Sequence, residues 1–170
     1  MYNVLIADDE NIIRKGLCTL IDWNALGYSV IGEAQNGREV LNFLETHKPD
    51  VVLIDIRMPK LQGLEAIKRA REAGYQGKFI ILSGYSDFTY AQEAIKYEVR
   101  FYLTKPVDEE ELTQTLCRIR EELDSEHKLA ASSHIYQEKA KPAILQDYLS
   151  GKTSIDGLQP EALGLTSNAY

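Results

Sequence analysis

Five short apolar runs, almost free of polar interruption, recur through residues 1–123 of this chain. They are Val4-Leu5-Ile6-Ala7, Tyr28-Ser29-Val30-Ile31-Gly32, Val51-Val52-Leu53-Ile54, Phe79-Ile80-Ile81-Leu82 and Phe101-Tyr102-Leu103. A strand with one face in water alternates apolar and polar residues, whereas a continuous apolar run needs both faces covered. Between the runs, apolar residues fall at helical spacing: Ile12, Ile13, Leu17, Leu20 and Ile21; then Val40, Leu41 and Leu44; then Leu64, Ile67 and Ala70. A short helix from Tyr90 to Tyr97 and a last one striped by Leu112, Leu116, Ile119 and Leu123 complete the series. Strand and helix in strict alternation predict a doubly wound α/β domain, a five-stranded parallel sheet with helices on both faces.

Open sheets of this kind bind ligands beyond the carboxyl ends of their strands. The rule singles out Asp8, Asp9, Asp55, Ser83 and Lys105, each of which closes or follows an apolar run. Three carboxylates crowded into one cleft would raise one another's pKa, and a bound divalent cation relieves that conflict. All-oxygen ligation favours Mg²⁺ or a similar hard ion. Lys105 offers a point charge for a phosphoryl or carboxylate oxygen, and Ser83 offers a hydroxyl donor. Together these are the parts needed to hold a transferring phosphoryl group, and an aspartate can itself be the nucleophile, forming an acyl phosphate. Plainer roles exist for single residues. Asp8 or Asp9 can cap the helix that starts near Ile12, and a Ser-Gly step after a strand is ordinary turn chemistry.

Asp8-Asp9, Asp55 within Asp55-Ile56-Arg57-Met58-Pro59-Lys60-Leu61-Gln62-Gly63, Ser83, and Lys105-Pro106 resemble in order and spacing the receiver domain of bacterial response regulators. The resemblance covers roughly residues 2–123. It implies a flavodoxin-like fold with strand order 2-1-3-4-5 and phosphorylation of an aspartate by a partner sensor histidine kinase. Carried over, Asp55 is the phosphoacceptor. Asp9, Asp55 and the backbone carbonyl of Arg57 hold Mg²⁺, with Asp8 acting through metal-bound water. Lys105 pairs with the phosphoryl group, and Ser83 moves to hydrogen-bond it. Tyr102 matches the family's aromatic switch residue, and Lys105-Pro106 its usual cis peptide. A homodimer through the last-strand face or the linker is expected, with phosphorylation favouring the pairing of last-strand faces. One departure stands out: Glu98-Val99-Arg100 replaces the frequent Gly-Ala-Asp before the last strand, which bears on the shape of the switch surface.

A narrower likeness lies in Leu82-Ser83-Gly84-Tyr85-Ser86-Asp87-Phe88-Thr89-Tyr90-Ala91 and Lys105-Pro106-Val107-Asp108. These resemble receivers joined to a C-terminal AraC-type helix-turn-helix domain, which would make transcription the output. Residues 124–170 hold only scattered apolar side chains, and Leu145-Gln146-Asp147-Tyr148-Leu149-Ser150-Gly151 is similar to the helical linkers of that subfamily. A heptad stripe through Leu116, Ile119, Leu123 and Ala130 is broken by Glu126 and Ser133, so a helical linker is expected rather than a strong coiled coil. It leads toward an effector domain that this sequence does not contain, and its end at Tyr170 reads as an interruption within a longer protein.

Composition excludes several other classes. A net charge of −7 argues against binding nucleic acid or an anionic membrane through bulk charge. No run approaches the roughly 18–20 apolar residues of a membrane span. Met1-Tyr2-Asn3 enters an apolar run with no basic segment before it, so a cytoplasmic protein is expected. Cys18 and Cys117 make neither a disulfide framework nor a zinc site and are expected as small buried hydrophobes on the first and last helices. Trp23 is expected to seat the loop after the first helix. The competing enzymatic reading is a haloacid-dehalogenase-like phosphatase, with a strand-end aspartate, Mg²⁺ and a lysine. Such an enzyme needs a second aspartate two residues after the nucleophile as general acid, and position 57 is Arg. A nucleotide or flavin binder would need small and hydroxyl residues where Asp8-Asp9-Glu10 stands.

Overall fold

The computed structural model describes residues 1–84 and 88–149. Tyr85, Ser86 and Asp87 of the narrower likeness, and the end of the chain from Ser150, lie outside the described residues. The elements are β1 (Tyr2–Ala7), α1 (Asn11–Leu20), β2 (Tyr28–Ala34), α2 (Gly37–His47), β3 (Val51–Asp55), α3 (Gly63–Glu72), β4 (Lys78–Ser83), α4 (Phe88–Ile95), β5 (Phe101–Thr104) and α5 (Glu109–Leu149). One compact unit is Met1–Glu121, and a second begins at Glu122. The sheet is wholly parallel with strand order β2-β1-β3-β4-β5, the order the resemblance implied.

Burial follows strand position. Central β3 is buried at every residue, while β2 and β5 at the two edges are largely half-buried. On one face Leu5, Ala7, Val52, Ile54, Phe79 and Ile81 pack with Val40 and Leu44 of α2 and with Leu64, Ile67 and Ala70 of α3. The alternate residues Val4, Ile6, Leu53, Ile80 and Leu82 are equally buried and face the other way. Leu17 of α1 and Leu112, Leu116 and Ile119 of α5 are buried outside that first cluster. There the Tyr28 hydroxyl donates to the Leu116 carbonyl at 2.8 Å, and Trp23 Nε1 donates to Leu17 O at 3.1 Å, seating the loop after α1 as expected.

Three sequence expectations are corrected. Ile12 is exposed, and Arg14 takes an inner position on α1 together with Leu17 and Ile21. The reason is spacing: Arg14, Leu17 and Ile21 lie at i, i+3 and i+7, a tighter stripe than one that includes Ile12. Cys117 is exposed and Cys18 only half-buried, so neither is a core residue. Cys117 follows Leu116 and lies off the stripe of Leu112, Leu116 and Ile119 that takes the inner positions of α5. Neither Asp8 nor Asp9 caps α1; Glu10 is the N-cap and makes no side-chain cap bond.

Candidate functional site

Register brings the strand ends to one level. Ala7 pairs with Ile54, so the residues that follow them, Asp8 just past β1 and Asp55 closing β3, lie side by side. Asp55 pairs with Leu82 and Ser83 with Thr104, which places Ser83 and Lys105 at the same carboxyl edge. The Lys105 N–H donates to the Ser83 carbonyl at 2.7 Å, fixing the exit of β5, and the Lys105-Pro106 peptide is cis. Strands β3 and β4 separate β1 from β5. The long Lys105 stem nevertheless spans them: Nζ lies 2.6 Å from Asp8 Oδ2 and 3.0 Å from Asp55 Oδ1.

One oxygen from each of Asp8, Asp9 and Asp55 lies within 4.8 Å of the others. Asp8 is fully buried, Asp55 nearly so, and Asp9 exposed at the mouth. Burial pushes the Asp55 carboxyl above its ordinary value; the Lys105 hydrogen bond and charge pull it back only in part, and the charges of Asp8 and Asp9 push it up again. Burial pulls the Lys105 ammonium down, but its hydrogen bonds to Asp8 and Asp55 outweigh that and the net direction is up. One ammonium cannot neutralise three carboxylates held this close. The residual charge is that of two carboxylates, and a small oxygen-ligated divalent cation matches it in sign, size and ligand type. The donor set therefore fits Mg²⁺.

The loop after β3 is pinned from behind. Gly63 N–H donates to Ile56 O at 2.9 Å, and a Cβ on Gly63 would fall 2.0 Å from the Asp55 carbonyl oxygen. Only a residue without a side chain lets α3 start that close to the acidic strand end. Ile56 and Met58 are buried beneath the loop, while Arg57 is exposed. Ser83 is buried, and its hydroxyl donates to Gly84 O at 3.0 Å rather than to an acid of the cluster. Tyr102 is half-buried and packs against the core face shared with α2 and α3.

Arg14 is the residue that the sequence reading passed over. Its guanidinium is buried and donates through Nη1 to Asp8 O at 2.7 Å and Asp9 O at 3.3 Å. Through Nη2 it reaches Asn11 Oδ1 at 3.1 Å, and through Nε it reaches Glu33 Oε2, also at 3.1 Å. The available signal was its place three residues before Leu17, on the inner stripe of the helix.

Comparison with known proteins gives a consistent result. The sequence profile of the response regulator receiver domain matches residues 4–117. YesN of Bacillus subtilis (strain 168), described as an uncharacterized transcriptional regulatory protein, is 35% identical; the match covers 96% of this chain and 52% of the relative. The transcriptional regulatory protein HptR of Staphylococcus aureus (strain NCTC 8325 / PS 47) is 40% identical over 119 residues, covering 70% of this chain and 46% of HptR. This chain thus spans about half the length of the curated relatives it matches. Among solved structures, the REC domain of AraT, a response regulator from Geobacillus stearothermophilus, superposes with a TM-score of 0.70 at 42% identity. That match covers 74% of this chain and 98% of the AraT domain. A two-component transcriptional regulator AraC from Clostridium phytofermentans ISDg follows at 34% identity and TM-score 0.66, over 71% of this chain and 94% of that one. Shared order, shared spacing and a profile match across two thirds of the residues leave one assignment: this chain belongs to the response regulator receiver family.

Proposed function

We propose that this receiver is a phospho-aspartate switch, with Asp55 accepting a phosphoryl group from a sensor histidine kinase. Receivers are signalling modules of two-component systems rather than conventional enzymes. The observation that carries the proposal is the convergence of Asp8, Asp9, Asp55 and Lys105 from three different strand ends. An oxygen of the Asp55 carboxylate forms the new P–O bond as the P–N bond of a phosphohistidine breaks, and the imidazole leaves with its electron pair. Mg²⁺, held by Asp9, Asp55 and the Arg57 carbonyl, with Asp8 acting through water, would supply positive charge against the crowded carboxylates and the incoming phosphoryl oxygens. Lys105 lies within reach of both Asp8 and Asp55 and donates to the oxygens gathering there.

The switch is assigned to Ser83 and Tyr102. Ser83 exchanges its bond to Gly84 O for one to the phosphoryl group, and half-buried Tyr102 turns into the space vacated. The differential affinity required is a few kcal/mol between the two arrangements. The output is a changed β5 face that favours a homodimer. Residues 1–123 act as the phosphoacceptor domain and 124–170 as a helical linker. The relatives' greater length and their descriptions as transcriptional regulators support an AraC-type DNA-binding domain as effector, and the setting we propose is cytoplasmic. Among the described residues no helix is long and apolar enough to cross a membrane. Incubation with acetyl phosphate and Mg²⁺, followed by intact-mass measurement, should add one phosphoryl group, and Asp55→Asn should abolish it. Labelling that persists in Asp55→Asn would overturn the assignment.

A further inference from the structure

A guanidinium four residues into α1 is an unusual placement. That end of a helix carries partial positive charge and disfavours a cation. Burying the cation adds a desolvation cost that only good hydrogen bonds offset. Arg14 meets both conditions at once, being only 5% exposed at the fourth helical position. Its compensation is specific. The fork grips the backbone carbonyls of Asp8 and Asp9 and anchors itself to the Glu33 carboxylate on the neighbouring strand. Lys15 holds the other oxygen of Glu33 at 2.6 Å, so the anchor is bonded on both sides. The two acid-bearing residues are thus tied by their main chain to α1 and β2, while their carboxylate oxygens gather with that of Asp55. Asp8 N–H to Ala34 O at 3.1 Å and Glu10 N–H to Asp8 Oδ1 at 3.0 Å complete the turn.

We infer that Arg14, anchored by Glu33, is a positioning residue that sets the Asp8-Asp9 turn for cation binding and hence for phosphoryl acceptance. The inference rests on the proposed function, because it assigns a purpose to the same acidic cluster. A planar fork reaches two carbonyls and a carboxylate together; a lysine at this position reaches only part of that set. Groups that orient metal ligands typically alter affinity by about 10–100-fold when removed.

The test is Mg²⁺ titration by calorimetry on the full chain, with amide exchange of Glu10 measured without metal. Arg14→Met should weaken Mg²⁺ binding about tenfold, Arg14→Lys should recover part of the loss, and Glu33→Gln should lose about threefold. Glu10 exchange should accelerate in the same order, a change that needs no metal and no phosphoryl donor. If Arg14→Met does not fold, Arg14→Lys and Glu33→Gln decide. A purely structural role would lower the unfolding temperature while leaving Mg²⁺ affinity within about twofold of wild type and Glu10 exchange unchanged, and would overturn the inference. Wild-type protein that bound no Mg²⁺ would overturn the proposed function and this inference together, whereas wild-type binding with unaltered variants would overturn the role of Arg14 alone.

Discussion

Glu98 offers a measurable check on the backbone just before β5. Its φ is +60°, in the left-handed region where a Cβ crowds the following carbonyl. The surrounding bonds explain the conformation. Glu98 N–H donates to Ile95 O at 3.1 Å and Val99 N–H to Ala94 O at 3.2 Å, the paired bonds of a Schellman motif closing α4. Buried Ala94 and Val99 supply its apolar contact. The left-handed position of this motif is normally glycine, the residue type that Glu98 replaces in the family pattern. Glu98→Gly removes about 1–2 kcal/mol of strain and returns about 0.5–1 kcal/mol through the greater freedom of glycine in the unfolded chain. The net gain is about 0.5–1 kcal/mol, or about 2–4 °C in Tm for a domain of this size. Urea unfolding followed by the fluorescence of buried Trp23, the only tryptophan, reads the tertiary core directly. Glu98→Ala keeps the Cβ and should gain almost nothing. Equal gains from Gly and Ala would assign the effect to the exposed side chain and refute the backbone argument, as would a Gly variant no more stable than wild type.

Two further outcomes follow from the site. Gly63→Ala should destabilise the domain by about 1–3 kcal/mol and slow acetyl phosphate labelling of Asp55, because the added Cβ must displace the Asp55 carbonyl; thermal melts and labelling rates check both effects. Burial holds the Asp55 carboxyl above its unfolded value, so the folded state retains this proton to a higher pH, and its contribution weakens as pH rises from about 4 through the raised value. Asp55→Asn removes that loss: in EDTA its Tm should exceed wild type at pH 7, and the gap should close toward pH 4. A gap that widens on acidification would reverse the sign of the argument.

The chemistry of the cluster was legible because each residue sits at the end of an apolar run, where a doubly wound sheet exposes its binding edge. Asp55 at the end of fully buried β3 is the clearest case. Ser83 and Tyr102 were located on their strands, but their surroundings were not. The Ser83 hydroxyl turns to its neighbour Gly84, and the partial burial of Tyr102 depends on its packing against the core cluster. Arg14 was passed over because a basic residue in an amphipathic stretch reads as solvated surface. Cys117 was misjudged because a small apolar residue beside Leu116 reads as core.

Residue order by itself determined the five strands, the alternation of helices and the acids and lysine that end the strands, since each of these is a local pattern of apolar spacing. Tertiary structure alone decided that Lys105 reaches past two strands to bridge Asp8 and Asp55, and that Arg14, anchored by Glu33 of β2, lies beneath the acidic turn. The physical reason is that spacing along a chain encodes which residues are withdrawn from water, whereas the partner each one meets depends on strand order and register, which join residues far apart in the sequence.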